Sequence, residues 1–226
     1  MCSRMSLDFT EINVMEDRDF GVTDVLAKFS PRYNAAPTTQ IPIIIPGSRI
    51  LDLARWGLIP KWAKDSKIGN ALINARSETL EEKPSFRESF KKNRCLVLAS
   101  GFFEWDTGKH PFYFQVKNKK IFAFAGLWSD WKNEKGENVR TCTIITCEPN
   151  SLVKRVHDRM PVILKPGDYE KWLKSENIDE IKGLLKPFDA GLMTEYEVST
   201  KMNSPRVDGA DLLMPIGKVE KQKNLF

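Results

Sequence analysis

The sequence predicts one domain in which antiparallel strands predominate and the helices are short. Three observations lead there. At 226 residues the chain can bury a single continuous core, and it shows no internal repeat or low-complexity segment. Apolar runs of strand length recur between turns rich in Gly, Pro and Asn. Stretches with helical periodicity are few and brief. Hydrophobic residues make up 41% and charged residues 29%, ordinary globular usage that indicates neither disorder nor a fibrous repeat. No apolar run approaches the ~18 residues of a membrane span and no charged-then-apolar leader opens the chain, so a soluble, cytoplasmic protein is expected.

In order, residues 6–29 suggest two short helices, with Ser6 and Thr23 as N-caps. Residues 31–38 form an ordered loop in which Pro31 and Pro37 exclude helix. Asn34 there either serves a plain connector or offers its amide to a nucleotide or backbone phosphate. Residues 41–45 and 49–56 read as a hairpin turned at Pro46 and Gly47. Next, Trp56 and Trp62 flank a turn that cannot fully bury both; Trp62, beside Lys61, either covers the core or faces a base. Residues 70–76 read as a strand whose alternation puts Asn74 and Arg76 on one face, for a shared task unless Asn74 merely caps the next helix. Phe86 and Phe90 mark an amphipathic helix over 83–92.

Residues 94–105 are the clearest strand and end in Gly101-Phe102-Phe103-Glu104-Trp105. Glu104 is either an exposed sheet residue or a carboxyl dehydrated by its aromatic neighbours, and dehydration would raise its pKa into the range of proton transfer. Strands over 111–117, 121–127, 140–147 and 162–164 follow, with a short helix over 148–156. His157 emerges where that helix gives way to a strand, a place for a working residue or a structural one; His110 reads as a solvated turn residue. Helices over 167–174 and 178–186 and a strand over 195–199 precede a polar loop. The domain is taken as 1–217, with a charged tail over 218–226.

Cys2, Cys95, Cys142 and Cys147 form no CxxC pair, and with two histidines the chain lacks suitably spaced zinc ligands, so no metal is expected. Buried, reduced thiols are expected. The net charge of +5 permits a polyanionic partner without requiring one. Cys2 stands apart, because loss of Met1 would leave one residue bearing an α-amine of pKa about 8 and a thiol of about 8.5. Such a 1,2-aminothiol condenses with an aldehyde, the amine forming an imine and the thiol closing on it to a thiazolidine.

Met1-Cys2-Ser3-Arg4, Arg32-Tyr33-Asn34, Trp56-Gly57-Leu58 with Trp62, Ile73-Asn74-Ala75-Arg76-Ser77-Glu78, Gly101 to Trp105, and His157-Asp158-Arg159-Met160-Pro161 occur in an order that resembles the SOS response-associated peptidase (SRAP) family. Ser3 departs from the family's usual glycine. The resemblance implies an α+β single domain with an antiparallel β-barrel-like core flanked by short helices, and a basic groove. It implies covalent, lyase-like capture of abasic sites in single-stranded DNA through Cys2, with autopeptidase removal of Met1. It also implies a catalytic set of Cys2, Asn74, Glu104 and His157. For DNA contacts it implies Arg4, Arg76 and Arg159 at phosphates, Asn34 and Thr146 as polar supplements, Trp62 under a base, and Pro37 and Met160 against a flanking base. No cofactor and no membrane are implied; a monomer is expected, in the bacterial cytoplasm and at the nucleoid when on DNA, with replication or repair proteins as candidate partners. Two rival readings use the same residues: a thiol peptidase with His157 as base, and a noncovalent reader of modified bases.

Overall fold

The structure, a computed structural model, describes residues 2–47 and 49–216. The expected loss of Met1, the boundary at 217 and the tail over 218–226 lie outside the described residues. The strands are β1 Met5–Leu7, β2 Asp24–Val25, β3 Arg32–Ala35, β4 Gln40–Ile45, β5 Ile50–Trp56, β6 Asn74–Arg76 and β7 Arg94–Ala99. They continue with β8 Gly101–Trp105, β9 Pro111–Val116, β10 Phe122–Lys132, β11 Asn138–Cys147, β12 Met160–Pro161, β13 Ile163–Leu164 and β14 Met193–Glu197. The α-helices are α1 Glu11–Glu16, α2 Pro84–Lys92, α3 Tyr169–Lys174 and α4 Ile178–Lys182.

The larger sheet runs β12-β11-β10-β7-β4-β5-β2, and a further pairing of β11 with β5 closes five of its strands into a barrel. That closing seam is parallel, with Thr141 opposite Arg55 and Cys142 opposite Trp56. The smaller sheet runs β14-β9-β8-β1-β3. The fold is thus an α+β single domain on an antiparallel barrel-like core. Ile43, Ile44, Leu96, Val97, Phe124 and Ile144, from four of the barrel strands, are fully buried in one contiguous cluster, the apolar burial that holds the domain together. Among the described residues no helix is long and apolar enough to cross a membrane.

Local sequence accounts for the elements. The β4–β5 hairpin turns at Gly47, whose φ of 103° suits glycine. Helix α2 starts with Pro84 and buries Phe86 and Phe90. Beyond its end, the buried Arg94 donates to the carbonyls of Phe90 and Lys91, and also to those of Trp172 and Ser175, tying α2 to α3.

Several expected boundaries move. Residues 6–29 hold one α-helix, not two: Ser6 lies in β1, Thr23 precedes β2, and Thr10 with Asn13 forms the capping box of α1. The expected loop over 31–38 contains β3, because proline excludes helix but leaves the extended backbone available. The strand expected over 70–76 shrinks to β6, preceded by a 3₁₀ turn over Ser66–Ala71. The long strand over 94–105 divides at Ser100, sending β7 into the barrel and β8 into the smaller sheet. Ser100 Oγ accepts the N–H of Asp8 at 2.9 Å and contacts Ser6 Oγ at 2.8 Å, so the break is held by β1 and the residue after it. Gly101 follows because a Cβ there would lie 2.3 Å from the Tyr113 ring.

Candidate functional site

Cys2 lies where the two sheets meet. Strand β1 pairs with β8 through Met5 opposite Phe102 and Ser6 opposite Gly101, and the Phe103 N–H donates to Arg4 O at 3.1 Å. This ladder brings the residues ahead of β1 alongside Glu104. From the other sheet, β6 runs parallel to β11 with Asn74 opposite Ile144 and Arg76 opposite Thr146. Asn74 Nδ2 reaches across to donate to Cys2 O at 2.7 Å, joining positions 72 residues apart. Cys2 is fully buried, its Sγ 3.8 Å from Arg4 O.

The electrostatics of this seam differ from those of an apolar core. Glu104 is 2% exposed, and burial pushes its carboxyl from 4.5 up to about 7. The dehydrated reading of Glu104 is therefore the one realised. His157 Nε2 lies 3.8 Å from Glu104 Oε2. Burial pulls the His157 pKa down, outweighing the nearby Asp158 carboxylate 3.0 Å from Nδ1. Nδ1 accepts the Arg159 N–H at 3.0 Å, which favours the tautomer with its proton on Nε2, on the side of Glu104. The Cys2 thiol is held protonated, first by burial and then by the Glu104 charge. Cys2, Asn74, Glu104 and His157 thus converge from separate elements.

The residues expected at DNA divide into two groups. Arg76 is exposed and Trp62 is 57% exposed, while Trp56 is fully buried, which resolves the tryptophan pair at the turn. Arg4 is half-buried and donates to Ser3 O at 2.9 Å; Pro37 is half-buried in the turn after β3. Three expected contacts have internal tasks instead. Asn34 is 5% exposed, and its Nδ2 donates to Ser204 O at 2.9 Å and Val207 O at 2.8 Å, fastening the loop over 202–207. Thr146 is fully buried, its carbonyl accepting from Arg159 Nη2 at 2.7 Å. Met160 is buried on β12, its sulfur 3.2 Å from the Asn150 N–H. None of these three side chains offers surface to a strand in this conformation.

The sequence reading missed two parts of the site. Glu78 pairs with Arg159, and its place two residues after Arg76 was the available signal. Ser6, Ser100 and Tyr113 form a buried hydroxyl cluster, with Ser6 Oγ 2.7 Å from the Tyr113 hydroxyl, which locks β1 against β8 and β9. Nothing in their spacing announces it. Among the described residues no group of three or more His, Cys, Asp or Glu side chains is placed to hold a metal, and all four cysteines are free and buried.

Comparison with known proteins places this geometry among relatives. The family model described as SOS response associated peptidase (SRAP) matches residues 1–205. The chain is 42% identical over 223 residues to the abasic site processing protein YoqW of Bacillus subtilis (strain 168), covering 94% of this chain and 99% of the relative. It is 31% identical over 234 residues to the abasic site processing protein HMCES of Xenopus tropicalis, covering 86% of this chain and 69% of that protein. A crystal structure of a Bacteroides thetaiotaomicron protein superposes with a TM-score of 0.87 at 33% identity, covering 95% of this chain and 99% of the other. With the family model spanning nearly the whole domain, the chain belongs to the SOS response associated peptidase (SRAP) family.

Proposed function

We propose that the protein captures abasic sites in single-stranded DNA covalently, through the amine and thiol of Cys2 once Met1 has been removed. The observation that carries this reading is the convergence of Cys2, Asn74, Glu104 and His157 at the seam between the sheets. Relatives named abasic site processing proteins, alike over nearly the whole chain, point the same way.

The ring-opened abasic sugar presents an aldehyde at C1′. The Cys2 amine attacks that carbon to give a carbinolamine, which loses water to form an imine. A carboxyl of pKa about 7 is present in both protonation states at neutral pH, so Glu104 gives a proton to the departing hydroxyl and takes one back from nitrogen. The Cys2 sulfur then adds to the imine carbon, its proton passing by way of Glu104 to the nitrogen. Burial and the Glu104 charge hold the thiol protonated, so this proton leaves as the carbon–sulfur bond forms. The sequence forms one C–N and one C–S bond, releases one water, and breaks no bond of the DNA backbone.

Asn74 holds the Cys2 carbonyl and thereby aims the amine. The Nε2–H of His157 donates to O4′ as the sugar opens. Exposed Arg76 serves phosphates and exposed Trp62 stacks on a base. Before any of this, hydrolysis must release Met1, since an amide nitrogen has its lone pair delocalised and does not attack aldehydes. A denaturing gel of the protein with abasic single-stranded DNA tests the reading: a heat-stable adduct is expected from the wild type and none from Cys2→Ala. An equally stable adduct from Cys2→Ala would refute the aminothiol chemistry.

A further inference from the structure

The guanidinium of Arg159 already grips an anion. Its Nη1 donates to Glu78 Oε1 at 2.7 Å and its Nη2 to Oε2 at 3.0 Å, the paired bonds by which arginine also holds phosphate. Nη2 donates in addition to Thr146 O at 2.7 Å, and the Arg159 side chain is 13% exposed, so the cation is anchored independently of its carboxylate. Glu78 is held differently. Its side chain is 48% exposed and sits on the single 3₁₀ turn Ser77–Thr79 that follows β6, from which it can swing into solvent. Two residues earlier stands exposed Arg76, which makes no ion pair among the described residues and is registered opposite Thr146. Thr146 thus carries the covered cation on its carbonyl and has the open one at its register position on β6.

We propose that Glu78 occupies, in the DNA-free protein, the place on Arg159 that a strand phosphate takes on binding, which makes Glu78 a further residue setting affinity for the strand. This rests on the single-stranded DNA reading above and deepens it. The exchange replaces one bidentate anion on Arg159 by another, with Thr146 O keeping the guanidinium in place throughout. An isolated phosphate or a loosely placed strand gains little by displacing a tethered carboxylate, whereas a strand already seated on Arg76 does so at high local concentration. The released carboxylate recruits a cation from solution, which offsets part of the counterion release from the DNA.

The test is noncovalent binding of a fluorescein-labelled, undamaged single-stranded oligonucleotide, followed by anisotropy across a salt series. Glu78→Gln should bind about 1.5-fold to fivefold more tightly at low salt, the range set by an exposed ion pair. Its salt dependence should be steeper by up to about one ion, because no carboxylate is released. Glu78→Ala should move affinity in the same direction. In an Arg159→Gln background Glu78→Gln should have no effect. Weaker or unchanged binding by Glu78→Gln would mean that Glu78 orients Arg159 or is idle, and would overturn the proposal. Equal tightening in the Arg159→Gln background would also overturn it, as a general charge effect. Should the wild type neither bind the oligonucleotide nor form an adduct with abasic DNA, the functional reading falls and this falls with it. Normal adducts without the Glu78 effects would remove this inference alone.

Discussion

Cys142 in the closing seam of the barrel and Cys2 at the junction of the two sheets are both fully buried, and burial drives both thiols upward in pKa. Their surroundings separate them. For Cys142 burial is the one cause, whereas Cys2 also senses the Glu104 carboxylate, and its carbonyl is bound by Asn74. The interior of the barrel stabilises the fold by excluding water from apolar side chains. At the junction Cys2 and Glu104 are just as dry, and that dryness raises the Glu104 pKa, while His157 stays 24% exposed. Burial alone therefore says nothing about function; burial of titratable groups that face one another does.

The sharpest way to break this comparison is to exchange the roles of the two cysteines. Cys2→Ala should abolish the heat-stable adduct, with a stability loss of about 1–2 kcal/mol from trimming a buried side chain. Cys142→Ala should leave the adduct intact while lowering stability by about 1–2 kcal/mol through a small cavity, measured by urea unfolding. Adduct loss in the Cys142 variant would erase the distinction.

The next effect concerns Glu104 and pH. In the folded protein Glu104 keeps its proton up to about 7, while in the unfolded chain it releases it near 4.5. Its contribution to stability is therefore fully present below pH 4.5 and is lost as pH rises through 7. The loss should reach about 3 kcal/mol, at about 1.4 kcal/mol per pKa unit. Subtracting the stability–pH curve of Glu104→Gln from that of the wild type should isolate this fall, and a flat difference curve would show that Glu104 is not dehydrated. The same variant should slow adduct formation by roughly 100-fold, the lower range for losing an acid–base group.

Smaller effects sharpen the picture at the edges of the junction. Asn74→Ala leaves Cys2 O without its 2.7 Å donor and should cost about 1–3 kcal/mol in stability along with slower adduct formation. Trp62→Ala, at a side chain 57% exposed, should leave stability within about 0.5 kcal/mol yet weaken strand binding by roughly 1–3 kcal/mol. Isothermal unfolding and anisotropy titration read the two separately. A stability loss in Trp62→Ala matching its binding loss would place that tryptophan in the core account.

Much of this was legible in the residues. The β4–β5 hairpin and α2 follow from local pattern, since Pro46-Gly47 turns the chain and Phe86 with Phe90 marks one helical face. The four catalytic candidates were legible as a motif series, but their meeting was not. Asn74 and Cys2 are joined across 72 residues by strand pairing that no local window contains. The same limit explains Asn34, whose amide is claimed by Ser204 and Val207 far along the chain, whereas Thr146 and Met160 are buried where β11 pairs with β12. The division of residues 94–105 at Ser100 was hidden for a related reason: hydroxyl contacts to Ser6 and the Asp8 N–H hold the break, and these come from the other end of the chain. Glu78 was visible yet mute, because a glutamate becomes informative only once its cation is known.

The central claim is that the amine and the thiol of Cys2 jointly bond to the sugar, and intact mass spectrometry of the denatured adduct tests it most directly. The account predicts a mass equal to protein lacking Met1 plus abasic DNA minus one water, unchanged by borohydride because no imine remains. An adduct whose protein still carries Met1, or one that gains hydride on borohydride treatment, would contradict it.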